Sequence, residues 1–274
     1  MKQMLSLVTA VFLMGFTGSG SFFANLKEVF QIKEKTTAPP PTTTAVPYER
    51  PEGVHAAAAG QGKMLALTFD DGPGGSVTNH IMTRLREAGG HATFFCLGER
   101  AAGYQKTLRR MADEGHEVAS HSYAHERLTR LGGGELRNDL ARAAGALEEA
   151  SGQRPLLLRP PYGAVNGYML ERTDWPVILW SIDSEDWRYC ELLCKNRSDE
   201  QRQRDFLKVV NSVLDYVQDG DIILMHDLYS FTQDVADVVI SELHHQGWQL
   251  VTVSELFAAR GIVPQAGAVY YSSR

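Results

Sequence analysis

The segment LALTFDDGPG, residues 65–74, sets two carboxylates, Asp70 and Asp71, side by side between an apolar run and a Gly72–Pro73–Gly74 turn. Adjacent like charges are costly when both are buried, and a strand sends neighbouring side chains to opposite faces. Both carboxylates reach one cleft only where a strand ends and the backbone is already leaving the sheet. The same letters also make a plain turn, since Asp and Gly are ordinary turn residues. The rest of the chain has to choose between turn and site.

His121 and His125 lie four apart in HSYAHE. In a helical turn that spacing puts both imidazoles on one face, as when two histidines hold one zinc ion. With a carboxylate from another strand they make a three-ligand set, His, His and Asp, and three protein ligands plus a water is the pattern of a catalytic zinc. One of the two aspartates is then a ligand and the other a base, acting on a water whose pKa the metal lowers. Arg159, in LLLRPPYG, is placed to keep that base ionised through a charge-assisted hydrogen bond. Cleaving an amide also needs an acid for the leaving amine, and His226 in LMHD suits it, with a reference pKa near neutrality. Asp183 or Asp186 holds its imidazole in the needed tautomer. The plainer alternatives are a helix-capping role for His226 and simple packing for Trp187 and Tyr162, whose rings otherwise suit the face of a sugar.

These residues need elements to carry them. From Lys63 onward, short apolar runs alternate with helix-like segments. The predicted strands are MLALTFD, ATFFCL, HEVASH, PLLLRP, VILWSID, DIILMH and WQLVTVS, with helices around 76–89, 103–114, 134–150, 166–173, 203–218 and 232–246. Strands apolar on both faces, each followed by a helix, predict an α/β fold with a parallel sheet covered by helices. Seven such strands suggest a barrel, complete or partial, whose chemistry sits at the C-terminal ends of the strands. Strand one ends in Asp70 and Asp71, strand three in His121, strand four in Arg159, strand five in Asp183 with Asp186 and Trp187 beyond, and strand six in His226 and Asp227. That convergence favours the site over the turn.

The 274 residues carry a formal net charge of −6 and 43% hydrophobic residues, a globular composition without the basic footprint of a nucleic-acid binder. MKQMLSLVTAVFLMGF followed by TGSGS has the layout of a secretory signal over residues 1–24, cleaved or retained as a membrane anchor. No lipobox cysteine is present. Residues 25–62, with APPPTTTAVP at their centre, read as an extended spacer that holds the next domain off a membrane. A domain is then expected at 63–260, with a tail at 261–274. Cys96 in ATFFCLG reads as a buried small hydrophobe. Cys190 and Cys194 are close enough for a local disulfide in an exported protein, although free thiols or a metal pair fit the spacing too.

The motifs TFDDGP, HSYAH, RPPYG, DSEDW and LMH, in this order between Met64 and Glu255, resemble the polysaccharide deacetylases of carbohydrate esterase family 4, the NodB-homology domain. The resemblance implies a distorted (β/α)7 barrel and a divalent metal, usually zinc, with cobalt and other divalent ions accepted by related enzymes. It makes Asp70 the general base, and Asp71, His121 and His125 the metal ligands. Arg159 would tune the base, Tyr162 would offer its backbone N–H to the oxyanion, and Asp186 would support His226 as acid. Trp187, Leu224, Tyr162 and Pro160 would line the substrate. The chain departs from the pattern after Trp187, where RYCELLCKNRSDEQRQRD intervenes before the next helix and is a candidate for altering substrate choice.

The expectation is an exported, monomeric hydrolase that removes N-acetyl groups from an amino-sugar polymer, with peptidoglycan N-acetylglucosamine favoured over chitin. The alternatives are an O-acetyl esterase acting on xylan and a wall-binding module without turnover. Both acid and base are present, which argues against the module. A glycosidase needs two carboxylates flanking one bond, which adjacent aspartates committed to a metal do not supply.

Overall fold

The computed structural model describes residues 48–189 and 197–274. The expected signal or anchor, the first part of the spacer, and Cys190 with Cys194 lie outside the described residues. Among those described, no helix is long and apolar enough to cross a membrane.

The strands are β1 (Met64–Asp70), β2 (Thr93–Cys96), β3 (Glu117–Ser120), β4 (Val177–Ile178), β5 (Ile182–Asp183), β6 (Ile222–His226), β7 (Gln249–Leu250) and β8 (Val269–Tyr270). The longer helices are α1 (Ser76–Glu87), α2 (Gln105–Asp113), α3 (Gly133–Ser151), α4 (Gly167–Leu170), α5 (Asp199–Leu214), α6 (Ser230–His245) and α7 (Val253–Ala259). All strand pairs are parallel. β1 is central, with β2 and β7 along one edge and β6 along the other, and β3 follows β2.

The expected fourth strand, PLLLRP, shrinks to a single bridging residue, Leu158, between Ser120 and Val177. The expected fifth strand, VILWSID, breaks in two. Its first half, β4, meets Leu158, and its second half, β5, pairs with β6. The break carries the ladder across the gap and back to β1, so the sheet closes into the distorted (β/α)7 barrel.

Period-two alternation along β1 separates the two sides of the wall. Leu65, Leu67 and Phe69 pack outward with Ile81 and Leu85 of α1 and Val239 and Leu243 of α6. Ala66 points inward with Phe95, Ile178, Ile222 and Phe257. Thr68 and Asp70 continue this inner face. Each fully buried aliphatic or aromatic side chain is worth about 1.5–3 kcal/mol, so the outer packing fixes the register that aims Asp70 inward. Cys96 is buried in the outer cluster, as expected.

Several boundaries differ from those the sequence suggests. The predicted 103–114 helix is α2, with a 3₁₀ segment, Gly98–Tyr104, leading into it. The predicted WQLVTVS strand stops at Leu250 because Thr252 caps α7. Its hydroxyl accepts the Glu255 N–H at 3.0 Å, and Glu255 accepts the Thr252 N–H at 2.8 Å. Ser198 and Gln201 cap α5 in the same reciprocal way, so that helix begins earlier than residue 203.

The compact unit spans Tyr48–Arg274. It begins before Lys63 because residues 48–62 form a strap over α6. Arg50 donates to both oxygens of Glu242, at 3.0 and 2.7 Å, and the Ala57 N–H adds a third bond at 3.2 Å. Glu242 has no exposed side chain, and a buried carboxylate needs such partners. Trp248 Nε1 donates to the Ala58 carbonyl at 2.7 Å. The expected tail at 261–274 also belongs to the unit. It supplies β8 beside β4, and Arg274 reaches the buried Asp221 at 2.8 Å.

Candidate active site

Asp70 ends β1 at 3% exposure, and Arg159, just past the Leu158 bridge, is wholly buried. Arg159 Nη1 donates to Asp70 Oδ1 and to Thr68 Oγ1, each at 2.8 Å. Its Nε and Nη2 donate to the Ile178 and Leu179 carbonyls at 3.1 and 3.0 Å, where VILWSID breaks. The guanidinium lies 4.1 Å over the Phe95 ring. A buried guanidinium tied down by these four bonds pairs with the Asp70 carboxylate and fixes its rotamer. Thr68, two residues before Asp70 on the same strand face, belongs to this network and was not singled out from the sequence; that spacing was the available signal.

The backbone leaves the sheet at Asp71, whose φ of 70° turns its side chain toward the cleft that Asp70 faces. His121 and His125 meet it there, though not from a helical turn. The segment 121–127 is a loop with Ser122 and His125 at φ 72° and 58°, and the Ser122 hydroxyl accepts the His125 N–H at 3.0 Å. The Nε2 atoms of His121 and His125 lie 3.3 and 3.2 Å from Asp71 Oδ1. The donor atoms of all three residues fall within 4.8 Å of one another.

This trio fits a metal ion. His121 Nδ1 lies 2.7 Å from the Arg159 carbonyl, which can only accept, so the neutral imidazole keeps its proton there. The Nε2 lone pair then faces the trio. Asp71 Oδ1 is buried without a hydrogen-bond partner among the described residues. Lone pairs turned on one another at such distances call for a cation between them. Burial raises the Asp71 carboxyl, but the neighbouring His121, with His226 and His125 behind it, brings it down to about 2.

Across the rim, β6 ends at His226. Its Nδ1–H donates to Asp186 Oδ1 at 2.8 Å, and its backbone N–H donates to Asp186 Oδ2 at 2.9 Å. Thr232 and Ser184 hydroxyls donate to the same carboxylate at 2.6 and 3.1 Å. The choice between Asp183 and Asp186 is therefore decided for Asp186; Asp183 accepts the Glu185 N–H at 2.8 Å. Burial alone lowers the His226 pKa, but the hydrogen bond and charge of Asp186, with Asp70 and Asp71 further away, take it up to about 9. The imidazole is held protonated with Nε2 left for the cleft. Thr232 carries no signal in the sequence beyond its nearness to LMH, and Ser184 lies inside DSEDW with no role read for it there.

The RPPYG turn brings Tyr162 beside His125, ring centroids 4.7 Å apart. The turn's own hydrogen bonds run from the Gly163 and Ala164 N–H groups to the Pro160 and Pro161 carbonyls, leaving the Tyr162 N–H unused by them. Tyr162 and Trp187 are 60% and 43% exposed, while Leu224 and Pro160 are buried.

The fold and the Asp–His–His trio at its strand ends liken the chain to the polysaccharide deacetylases. The polysaccharide deacetylase family profile matches residues 57–174. The peptidoglycan-N-acetylmuramic acid deacetylase PdaC of Bacillus subtilis is 42% identical over 194 residues, 71% of this chain and 38% of the relative. Its solved structure overlays with a TM-score of 0.65 at 41% identity, covering 73% of this chain and 92% of that one. A peptidoglycan-N-acetylglucosamine deacetylase of Bacillus cereus is 32% identical over 71% of this chain and 88% of its own length. A family 4 acetyl xylan esterase from Clostridium thermocellum, solved with a cobalt ion, overlays with a TM-score of 0.67 at 26% identity, covering 77% and 98%. This chain belongs to the polysaccharide deacetylase family.

Proposed function

We propose that the chain hydrolyses the N-acetyl groups of a peptidoglycan amino sugar, N-acetylglucosamine first among the candidates. One observation carries the reading: Asp71, His121 and His125 converge between the Asp70–Arg159 pair and the His226–Asp186 pair. The likeness to the B. subtilis and B. cereus peptidoglycan deacetylases supports the substrate class.

Asp71, His121 and His125 would hold a divalent ion, with zinc as the expected species. Once bound there, such an ion supplies Lewis acidity to the acetyl carbonyl and acidity to the attacking water. Asp70, paired with Arg159, takes a proton from that water as its oxygen adds to the acetyl carbon. The Tyr162 N–H faces the developing oxyanion. His226, protonated and fixed by Asp186, gives its proton to the amide nitrogen, the C–N bond breaks, and acetate and a free amine leave. Trp187, Tyr162, Leu224 and Pro160 form the walls along the sugar. A monomer is the expected state. The N-terminal pattern supports export, with residues 1–24 removed or kept as an anchor.

Acetate release from N-acetylglucosamine oligomers and from peptidoglycan tests this, with the protein metal-loaded, chelated, and as Asp70→Asn. Release that requires both the ion and Asp70, with glycan length unchanged, is expected. Release from acetylated xylan alone would favour the esterase reading that the C. thermocellum structure supports. No release from any of these, despite bound metal, would put the binding module first.

A further inference from the structure

The turn that carries Asp71 rests on two buried residues that the reaction does not use. Thr78, in the first turn of α1, and Asp227, next after His226, are both completely buried. The Thr78 hydroxyl accepts the Gly74 N–H at 2.7 Å and donates to Asp227 Oδ2 in a short hydrogen bond. Asp227 presses on the turn from beneath. A Cβ at Gly72 would lie 2.2 Å from Asp227 Oδ1, and one at Gly74 only 1.9 Å from the Asp227 carbonyl oxygen. Both contacts are too close for any side chain, so these two glycines answer to Asp227. Its Oδ1 has no hydrogen-bond partner among the described residues and is packed against the Gly72 backbone. On the other side, the Leu97 N–H bonds the Gly72 carbonyl and Arg100 Nε the Pro73 carbonyl, each at 3.0 Å.

Asp71 meanwhile sits at φ 70°, a region that a non-glycine residue keeps only where its surroundings impose it. The groups that impose it are those just named. We propose that Thr78 and Asp227 form a clamp that positions Asp71 for metal binding, an inference that rests on the Asp71–His121–His125 reading of the metal site. Both are positioning residues, acting through the Gly72–Gly74 backbone and touching neither metal nor substrate.

The test measures Zn²⁺ affinity of the full chain by chelator competition, with Co²⁺ absorption as a second readout of ligand geometry. Thr78→Val keeps the shape and removes the hydroxyl; Thr78→Ser restores it. Losing a partner that orients a ligand typically weakens metal binding about 10–100-fold, and that is the loss expected for Thr78→Val, with recovery in Thr78→Ser. Asp227→Ala, which empties the space beneath Gly72, should weaken binding similarly and covers the case in which the valine variant fails to fold. His226→Ala is the control: it should abolish acetate release and leave Zn²⁺ affinity intact. A folded Thr78→Val or Asp227→Ala that binds Zn²⁺ like the parent overturns the clamp alone. A parent that binds no Zn²⁺ overturns the metal-site reading with it.

Discussion

Asp70 and His226 are register partners at the ends of β1 and β6, neighbouring parallel strands of one sheet. The proposed base and the proposed acid therefore stand side by side where two paired strands end, each held by its own buried partner. Arg159 pairs with the first, and Asp186 makes the second positive. One pair of strands thus fixes the spacing between proton acceptor and proton donor.

Replacing Asp70 by Asn should separate the roles of the adjacent carboxylates. Acetate release should fall by about 10²–10⁴, the usual worth of a general base. Zn²⁺ affinity should change little, whereas Asp71→Asn should lose it. The urea midpoint should also drop, because leaving a buried charge such as Arg159 unpaired costs about 3–5 kcal/mol. Equal loss of metal in both variants would contradict the division of labour.

The pH behaviour of His226 follows from Asp186. In the chelated protein its imidazole should titrate near 9 by NMR, and Asp186→Asn should move that titration sharply down. The charged pair contributes its full stability below the unfolded imidazole pKa of about 6.5, and that contribution is lost as pH rises through about 9. A thermal-melt series from pH 6 to 10 should therefore show the parent losing its margin over Asp186→Asn as the pH rises. A parallel fall of both proteins would count against the pair.

Metal should stabilise as well as activate. At about a thousand times its dissociation constant, an ion bound only by the folded state adds about 4 kcal/mol. Adding Zn²⁺ to the chelated parent should raise the melting temperature, and Asp71→Ala, His121→Ala and His125→Ala should blunt the rise. A full rise in all three would place the ion elsewhere.

The strap predicts where the domain can be cut. A chain beginning at Lys63 loses Arg50 and the Ala57 N–H from Glu242, and should have a lower urea midpoint than one beginning at Tyr48. Glu242→Gln should recover part of that loss in the shorter chain. Matching urea midpoints for the two lengths would show the strap to be dispensable.

The strands that run straight were legible because their apolar pattern and their geometry agree. MLALTFD alternates between two buried faces along its whole length and becomes β1 as read. VILWSID carries the same apolar signal, yet its middle bends to give Arg159 the Ile178 and Leu179 carbonyls, a demand from a distant residue that no local window contains. The two histidines were found by type and spacing. Their route to the metal runs through left-handed backbone at Ser122 and His125, which residue preferences disfavour and tertiary contacts impose. The capping pairs Ser198–Gln201 and Thr252–Glu255 were present in the sequence and would have corrected two boundaries.

β1 is the first strand among the described residues and the centre of the sheet, but its partners appear at very different times. β2 follows within one helical turnback, whereas Ile222, opposite Ala66, comes more than half the chain later, and Leu250, opposite Leu65, later still. One edge of β1 must therefore wait, unpaired and apolar, while most of the polypeptide is made. Non-local pairing of this kind slows folding and leaves a sticky edge open meanwhile. During synthesis or after passage through a membrane pore, that open edge is where a holding chaperone would have the most to protect.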